Sequence, residues 1–370
     1  MAVTRIPATV VTGFLGSGKT TLIRNIIMQA NGRRLALIVN EFGDIGMDAA
    51  MLKECGPDSC GAEDIIELAN GCICCTVADD FLPSMQRLLA QTPRPDHIII
   101  ETSGLALPQP LVQAFNWPDI KAQVMLDGVV TLVDGPALAS GGVAHDLAAL
   151  EAQRAADEEL DHESPIDELF SDQIGAANLI VLSKADMLDA DGMARARTVV
   201  EAYLAEPTPI IPVAGGAAPM DAILGLGMED QAHARSRHMH HHHHEDDHDH
   251  ADDHQHEDGH GHHHHHEHGH DEFASYVIAL DGVADADLFQ QCISDVASEF
   301  GILRAKGRVV VDGKALPYVV QAVGRRVDGY FAREQGGASS QLVVIGLAGL
   351  EADAIADRLG GKVIAGHASS

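Results

Sequence analysis

TVVTGFLGSGKTTLIRNIIMQ, residues 9–29, sets a β-prone apolar run, a glycine-rich octet and a helically periodic apolar run in direct succession. The octet, Gly13 to Thr20, matches G-x-x-x-x-G-K-[ST] at every fixed position, and a strand before it with a helix after it is the context in which that motif works. Glycines let backbone N–H groups curl around phosphate oxygens, and the start of the following helix adds the positive end of its dipole. Lys19 reaches the β- and γ-phosphates of a nucleotide, and Thr20 offers its hydroxyl to Mg²⁺. The competing reading, an ordinary glycine-rich strand-to-helix turn, leaves the full match and its flanks without a cause.

Outward from this stretch the pattern repeats. Seven short β-prone runs, TVVTG, LALIVNEF, DIIEL, HIIIETSG, GVVTLVDG, LIVLSK and PIIPVAG, alternate with helical patterns as far as about Gly215. Such alternation predicts an α/β fold, a P-loop NTPase with a mostly parallel sheet covered on both faces. Helices are predicted over 148–160 and 167–178, the second with Ser164 or Asp167 as its cap. At 370 residues the chain suits two domains. We place the first at 1–225, a His- and Asp-rich linker with the composition of a disordered segment at 226–271, and a small C-terminal α+β domain at 272–370. The last reads as β-α-β-β-β-α with a partly antiparallel sheet, its strands including RVVVDG at 308–313.

Two later segments complete a nucleotide site. HIIIETSG ends an apolar strand with Glu101, placed to hold Mg²⁺ through water, and with Gly104, whose amide can meet a γ-phosphate. LIVLSKAD places Lys184 and Asp186 after another apolar strand, where guanine is read: the carboxylate accepts from the ring N–H and exocyclic amine, and the lysine stem packs on the purine. The usual first residue of that signature is Asn, whereas this chain has Ser183. Guanine is favoured over adenine, with a solvated Lys–Asp pair as the bland alternative.

GCICC puts Cys72, Cys74 and Cys75 within four residues. On extended backbone Cys72 and Cys74 point to one side, so two soft sulfurs can share one ion, Zn²⁺, Co²⁺, Ni²⁺ or Cu⁺ rather than Mg²⁺. A cluster of small buried hydrophobes or a redox dithiol are the other readings. Two assured ligands leave room for a third side chain or a receiving partner, which suits transfer better than storage. Glu41, just after the second strand, is a candidate for either Mg²⁺ or the thiol-bound ion, and Cys55 and Cys60 are auxiliary candidates. Between His238 and His270 lie eighteen of the chain's 23 histidines. Such a tract can collect borderline divalent ions without choosing among them, or serve as a polar spacer.

Charge narrows the partners. Twenty-four Lys and Arg against 55 Asp and Glu give a net of -31, which repels nucleic acid and anionic lipid. No apolar run approaches the roughly 20 residues that span a bilayer, so a cytoplasmic chain without membrane insertion is expected. Six cysteines, three nearly contiguous, do not make a disulfide framework.

GFLGSGKTTL, NEFGDIG, GCICC, ETSGLALPQP, SKAD and the His-rich linker together resemble the CobW family of P-loop GTPases; the likeness is strong from Thr4 to about Gly215 and looser around LRAKG at 303–307. That resemblance implies a GTP-dependent metallochaperone that supplies Co²⁺ to the cobaltochelatase of aerobic cobalamin synthesis. It further implies that Gly16, Ser17, Gly18, Lys19, Thr20 and Thr21 bind phosphates and Mg²⁺. Cys72, Cys74 and Cys75 become the metal motif, and Lys184 and Asp186 face guanine. Zinc or nickel as cargo, and a non-catalytic histidine buffer, remain open beside it. No arginine finger is evident in the motifs, so slow hydrolysis without a partner is expected. Oligomeric state is not legible.

Overall fold

The computed structural model describes residues 5–30, 32–40, 65–68, 81–156, 166–225, 273–332 and 340–367. The run before the glycine octet is β1 (Ile6–Thr12), and the octet opens directly into α1 (Lys19–Met28). There follow β2 (Leu35–Asn40), β3 (Ile65–Leu68), α2 (Leu82–Leu89), β4 (His97–Glu101), α3 (Pro108–Ala114) and α4 (Pro118–Lys121). Next are β5 (Val124–Asp134), α5 (Gly135–Ala139), α6 (Leu147–Ala156) and α7 (Ile166–Gly175). The domain closes with β6 (Leu179–Ser183), α8 (Ala190–Tyr203), β7 (Ile210–Val213) and α9 (Met220–Leu224).

All seven expected strands form, and they pair in the order β3-β2-β4-β1-β5-β6-β7, every pair parallel. Helices cover both faces, which is why the strands read as unbroken apolar runs; all eleven residues of β5 are buried. Alternate residues of β1 divide between the two cores. Ala8 and Val10 pack with Met85, Leu88 and Leu111, while Val11 packs with Leu22, Ile23 and Ile26 of α1. The helix predicted over 148–160 is described as Leu147–Ala156, and residues 157–165, including Ser164, lie outside the described residues. Asp167 sits in the first turn of α7 rather than at its cap. The helix stops at Gly175 because Asn178 is taken by the sheet: its backbone N–H donates to Val129 O and its side-chain Oδ1 accepts from Val129 N.

The C-terminal domain runs β8 (Phe273–Leu280), α10 (Ala286–Phe300), β9 (Arg304–Val309), β10 (Tyr318–Val323), β11 (Arg326–Phe331), β12 (Ser340–Leu347), α11 (Ala352–Leu359) and β13 (Gly361–His367). Its six strands order as β11-β10-β9-β12-β8-β13, and every pair is antiparallel rather than only part of them. Two of these strands, β11 and β13, were not expected, and the strand expected at 308–313 lies four residues earlier. Glycines explain the misses. Gly307 faces β12 so closely that a Cβ there would sit 1.9 Å from Gln341 O. Gly329 and Gly366 lie beneath the rings of Tyr318 and Tyr276, which cover the strand where a side chain would stand.

One face of this second sheet carries α10 and α11; the other packs on α9 and the nucleotide-domain core through Val277, Val343, Ile345, Leu303 and Val323. The pairing of β5 with β1 slips here: Ala8 opposes Leu126 but Thr9 opposes Gly128, so Asp127 is bulged out of the ladder. The bulge turns its carboxylate toward Arg304, 2% exposed, whose Nη1 donates to Asp127 Oδ2 at 2.6 Å. Arg304 also donates from Nε to Ala222 O (2.8 Å) and from Nη2 to Ile223 O, two carbonyls in the last turn of α9. Beyond Asp127, Thr9 Oγ1 donates to Asp127 Oδ2 (3.2 Å), so its remaining contact, 2.8 Å from His97 Nε2, makes Nε2 the protonated ring nitrogen.

Candidate functional site

The glycine octet is shaped by backbone constraints that only glycine meets. Gly13 has φ 137°, and a Cβ there would sit 2.2 Å from Leu132 O. Gly18 holds the left-handed conformation at the N-cap of α1. Together with Gly16, also at positive φ, they turn the chain through a tight loop with Ser17 buried inside it and Ser17 N bonded to Phe14 O at 3.1 Å. Lys19, 8% exposed, lies across the loop and donates to Gly13 O at 2.8 Å and Phe14 O at 3.3 Å. An ammonium lying across a glycine-rich loop at a helix start is the arrangement a phosphate seat requires.

The carboxylate expected at the end of β4 stands beside the start of α1. Val11 of β1 and Glu101 of β4 are register partners, and Thr20 Oγ1 donates to Glu101 Oε1 at 3.3 Å. A hydroxyl and a carboxylate converging beside the phosphate seat form a hard-oxygen donor set that fits Mg²⁺. Gly104 lies against the glycine loop, since a Cβ there would stand 2.8 Å from Leu15 N. What holds it is a residue the sequence reading did not single out. Gln173 of α7, 1% exposed, donates from Nε2 to Gly104 O (3.0 Å) and to Ala106 O (3.1 Å). Its only sequence signal was a polar residue on the buried face of an otherwise amphipathic helix.

On the other side of α1, Ser183 ends β6 and, with Lys184 just after it, borders a cavity of about 100 Å³ together with Gly18, Thr21, Leu22 and Gly216. Ser183 Oγ donates to Val133 O at 2.9 Å. Lys184 adopts φ 57°, the one non-glycine residue at positive φ among those described, and its Nζ lies 2.5 Å from Asp134 Oδ2. Asp134 is 3% exposed, and its other oxygen accepts from Ala137 N to cap α5. Asp186 is exposed on the one-turn 3-10 helix Ala185–Met187. Asp134 and the Gly215–Gly216 wall went unremarked in the sequence, although a Gly-Gly pair just past the last strand was their signal. Gly216 approaches α1 so closely that a Cβ would meet Thr21 Cγ2 at 2.9 Å, and Asn25 Nδ2 donates to Gly215 O at 3.0 Å.

Glu41, Cys55, Cys60, Cys72, Cys74, Cys75 and the histidine tract lie outside the described residues. Glu41 follows Asn40, the end of β2, and Cys72 comes four residues after Leu68, the end of β3. Those two strand ends are register partners on the sheet edge where Glu101 also stands, opposite Val39 of β2. Among the described residues no three His, Cys, Asp or Glu converge on a common point, and no helix is long and apolar enough to cross a membrane.

Residues 7–211 match the family described as CobW/HypB/UreG, nucleotide-binding domain, and residues 273–362 match the Cobalamin synthesis protein cobW C-terminal domain. The chain is 48% identical to the zinc chaperone CobW of Sinorhizobium sp over 95% of each chain. To the zinc chaperone CobW of Pseudomonas aeruginosa it is 42% identical, over 96% of this chain and 91% of that one. The zinc-regulated GTPase metalloprotein activator 1 of Schizosaccharomyces pombe is 35% identical over 53% of this chain and 43% of its own. A nucleotide seat of this geometry on an all-parallel sheet, joined to the matching C-terminal domain, places the chain in the CobW family of P-loop GTPases.

Proposed function

We propose that the chain is a GTP-dependent zinc metallochaperone that takes its cargo at Cys72, Cys74 and Cys75. One observation carries the reading: the strands leading into Glu41 and the Cys-x-Cys-Cys motif end on the same sheet edge as Glu101, whose carboxylate meets Thr20 at the phosphate seat. In this reading Lys19 balances phosphate charge, the base lies in the cavity beside Lys184, and the Gly104 amide senses the γ-phosphate. Thr20 and Glu101 would hold Mg²⁺, which when bound neutralises charge on the β- and γ-phosphates. The loop that carries Gly104 changes its contacts as the γ-phosphate leaves, and the metal site loosens with it.

Zinc is preferred as cargo on two grounds. Thiolate sites bind Zn²⁺ more tightly than Co²⁺ in the stability order. The two relatives matched over more than nine-tenths of this chain are both named zinc chaperones. Cobalt, with the cobaltochelatase as recipient, rests on the sequence motifs and on the description of the C-terminal family as a cobalamin synthesis protein.

A competition titration of Zn²⁺ against Co²⁺, with Mg²⁺ present and either a non-hydrolysable GTP analogue or GDP, tests the proposal. Zn²⁺ should win, and its affinity should rise by roughly a hundredfold with the analogue, the upper end of ordinary coupling. Cys74→Ala should abolish that nucleotide-dependent site. Equal affinity with GDP ends the chaperone scheme; a win by Co²⁺ restores cobalt as the cargo.

A further inference from the structure

The guanine-side wall of the nucleotide site is held from the other domain. The loop from Ala214 to Pro219 passes directly from β7 into α9, and it is fixed at both ends. At its start Asn25 binds Gly215 O, and further along Gln29 Nε2 donates to Ala218 O at 2.9 Å while Gln29 Oε1 accepts from Met220 N at 3.1 Å. At its far end α9 has five residues, too few to satisfy its own carbonyls, and two of them are met by the guanidinium of Arg304. The same guanidinium reaches Asp127 on β5, and β5 ends seven residues later in Asp134, the partner of Lys184. One buried side chain of the C-terminal domain therefore ties β5, whose Leu132 lines the base cavity, to the helix that follows the Gly215–Gly216 wall of the same cavity.

The seat for this contact is built, not incidental. The bulge that frees Asp127 is followed by Gly128, where a Cβ would press on the Val323 side chain at 3.2–3.3 Å, so the strand is opened to admit the neighbouring domain. Ala222 of α9 is fully buried against Val277, Val343 and Ile345 of the second sheet. A buried arginine with one carboxylate and two carbonyl acceptors is exacting in geometry, because a planar fork must meet all three at once.

We propose that Arg304 is a positioning residue for the nucleotide site, fixing α9 against β5 so that recognition of the guanine base depends on how the C-terminal domain is seated. This rests on the reading of the cavity beside Lys184 as the guanine pocket. Coupling of this kind is reciprocal: a recipient protein that shifts the C-terminal domain changes base affinity, and bound nucleotide changes how that domain holds its recipient.

The test uses the full chain and fluorescent GTP, GDP, ITP and ATP, with wild type, Arg304→Lys and Gly128→Ala compared at a temperature where melting shows each folded. Arg304→Lys keeps the charge and loses the fork. It should weaken GTP and GDP by the same factor, about tenfold, and narrow the preference for GTP over ITP and ATP, while the GTP-to-GDP ratio stays put. Gly128→Ala, which leaves Arg304 intact but pushes Val323 away, should move the same quantities in the same direction. A merely structural role lowers melting temperature without touching base discrimination. Unchanged discrimination in both folded variants overturns the proposal, and if Arg304→Lys does not fold, Gly128→Ala alone decides. Failure of wild-type protein to prefer guanine over adenine nucleotides would instead overturn the pocket assignment.

Discussion

His97 makes a quantitative demand on pH. It is fully buried at the start of β4, and burial, opposed by the Asp127 carboxylate and reinforced by Arg304 and Lys306, holds its pKa down to about 3 from the usual 6.5. The hydrogen bonds give the local reason. Nε2 carries the proton that Thr9 accepts, and Nδ1 has no acceptor among the described residues, so a second proton would be stranded there. The folded state thus refuses a proton that the unfolded chain takes up below pH 6.5. Stability is fully present above that value and is lost as pH falls toward 3. Between pH 7 and pH 5 the loss from this one group is about 2 kcal/mol, since 1.5 pH units below the unfolded pKa cost about 1.4 kcal/mol each. His97→Gln, which can keep a neutral donor toward Thr9, should remove that component. Urea titrations of both proteins at pH 7 and pH 5 measure it as the difference of differences, which cancels the many carboxylates common to both. Identical pH dependence in the two proteins would show that His97 does take up a proton in the folded state, and the assigned tautomer and network would be wrong.

Two other substitutions probe the nucleotide site. Gln173→Leu strips two buried carbonyls, Gly104 O and Ala106 O, of their donor, which should cost about 1–3 kcal/mol of stability. Because the loop bearing Gly104 is released, GTP turnover should fall roughly tenfold or more while GDP affinity holds; single-turnover hydrolysis beside GDP binding reads both. Asp134→Asn keeps the shape and removes the charge opposite Lys184. As Lys184 is about one-third exposed, the pair is partly screened, and GTP and GDP affinity should each fall by roughly fivefold, about 1 kcal/mol, measured by nucleotide titration.

The nucleotide domain was legible because its physics is local and repetitive. A parallel sheet buried on both faces writes each strand as an apolar run, and the phosphate loop needs glycine and lysine at fixed spacing, so β1 to β7, Lys19, Thr20, Glu101 and Gly104 could be placed from the sequence. What escaped depends on contacts far apart in the chain. Asp127-Gly128 reads as a turn before a strand, yet it is a bulge inside one, decided by Arg304 some 177 residues later. Gln173 looks like a surface polar residue until α7 is laid against the loop after β4. β11 and β13 were missed because their glycines, which argue against a strand, are covered by tyrosine rings from neighbouring strands.

The bulge at Asp127 also leaves a record that a shorter chain could not carry without cost. Stripped of the C-terminal domain, this sheet would present a carboxylate in an apolar floor with no cation to answer it, and a glycine gap with nothing to fill it. A nucleotide domain of the same design that works alone should therefore have an apolar residue where Asp127 stands and a straight strand in place of the slip. Conversely, a chain in which that acid-glycine pair persists declares in its first 130 residues that a second fold is meant to rest on it.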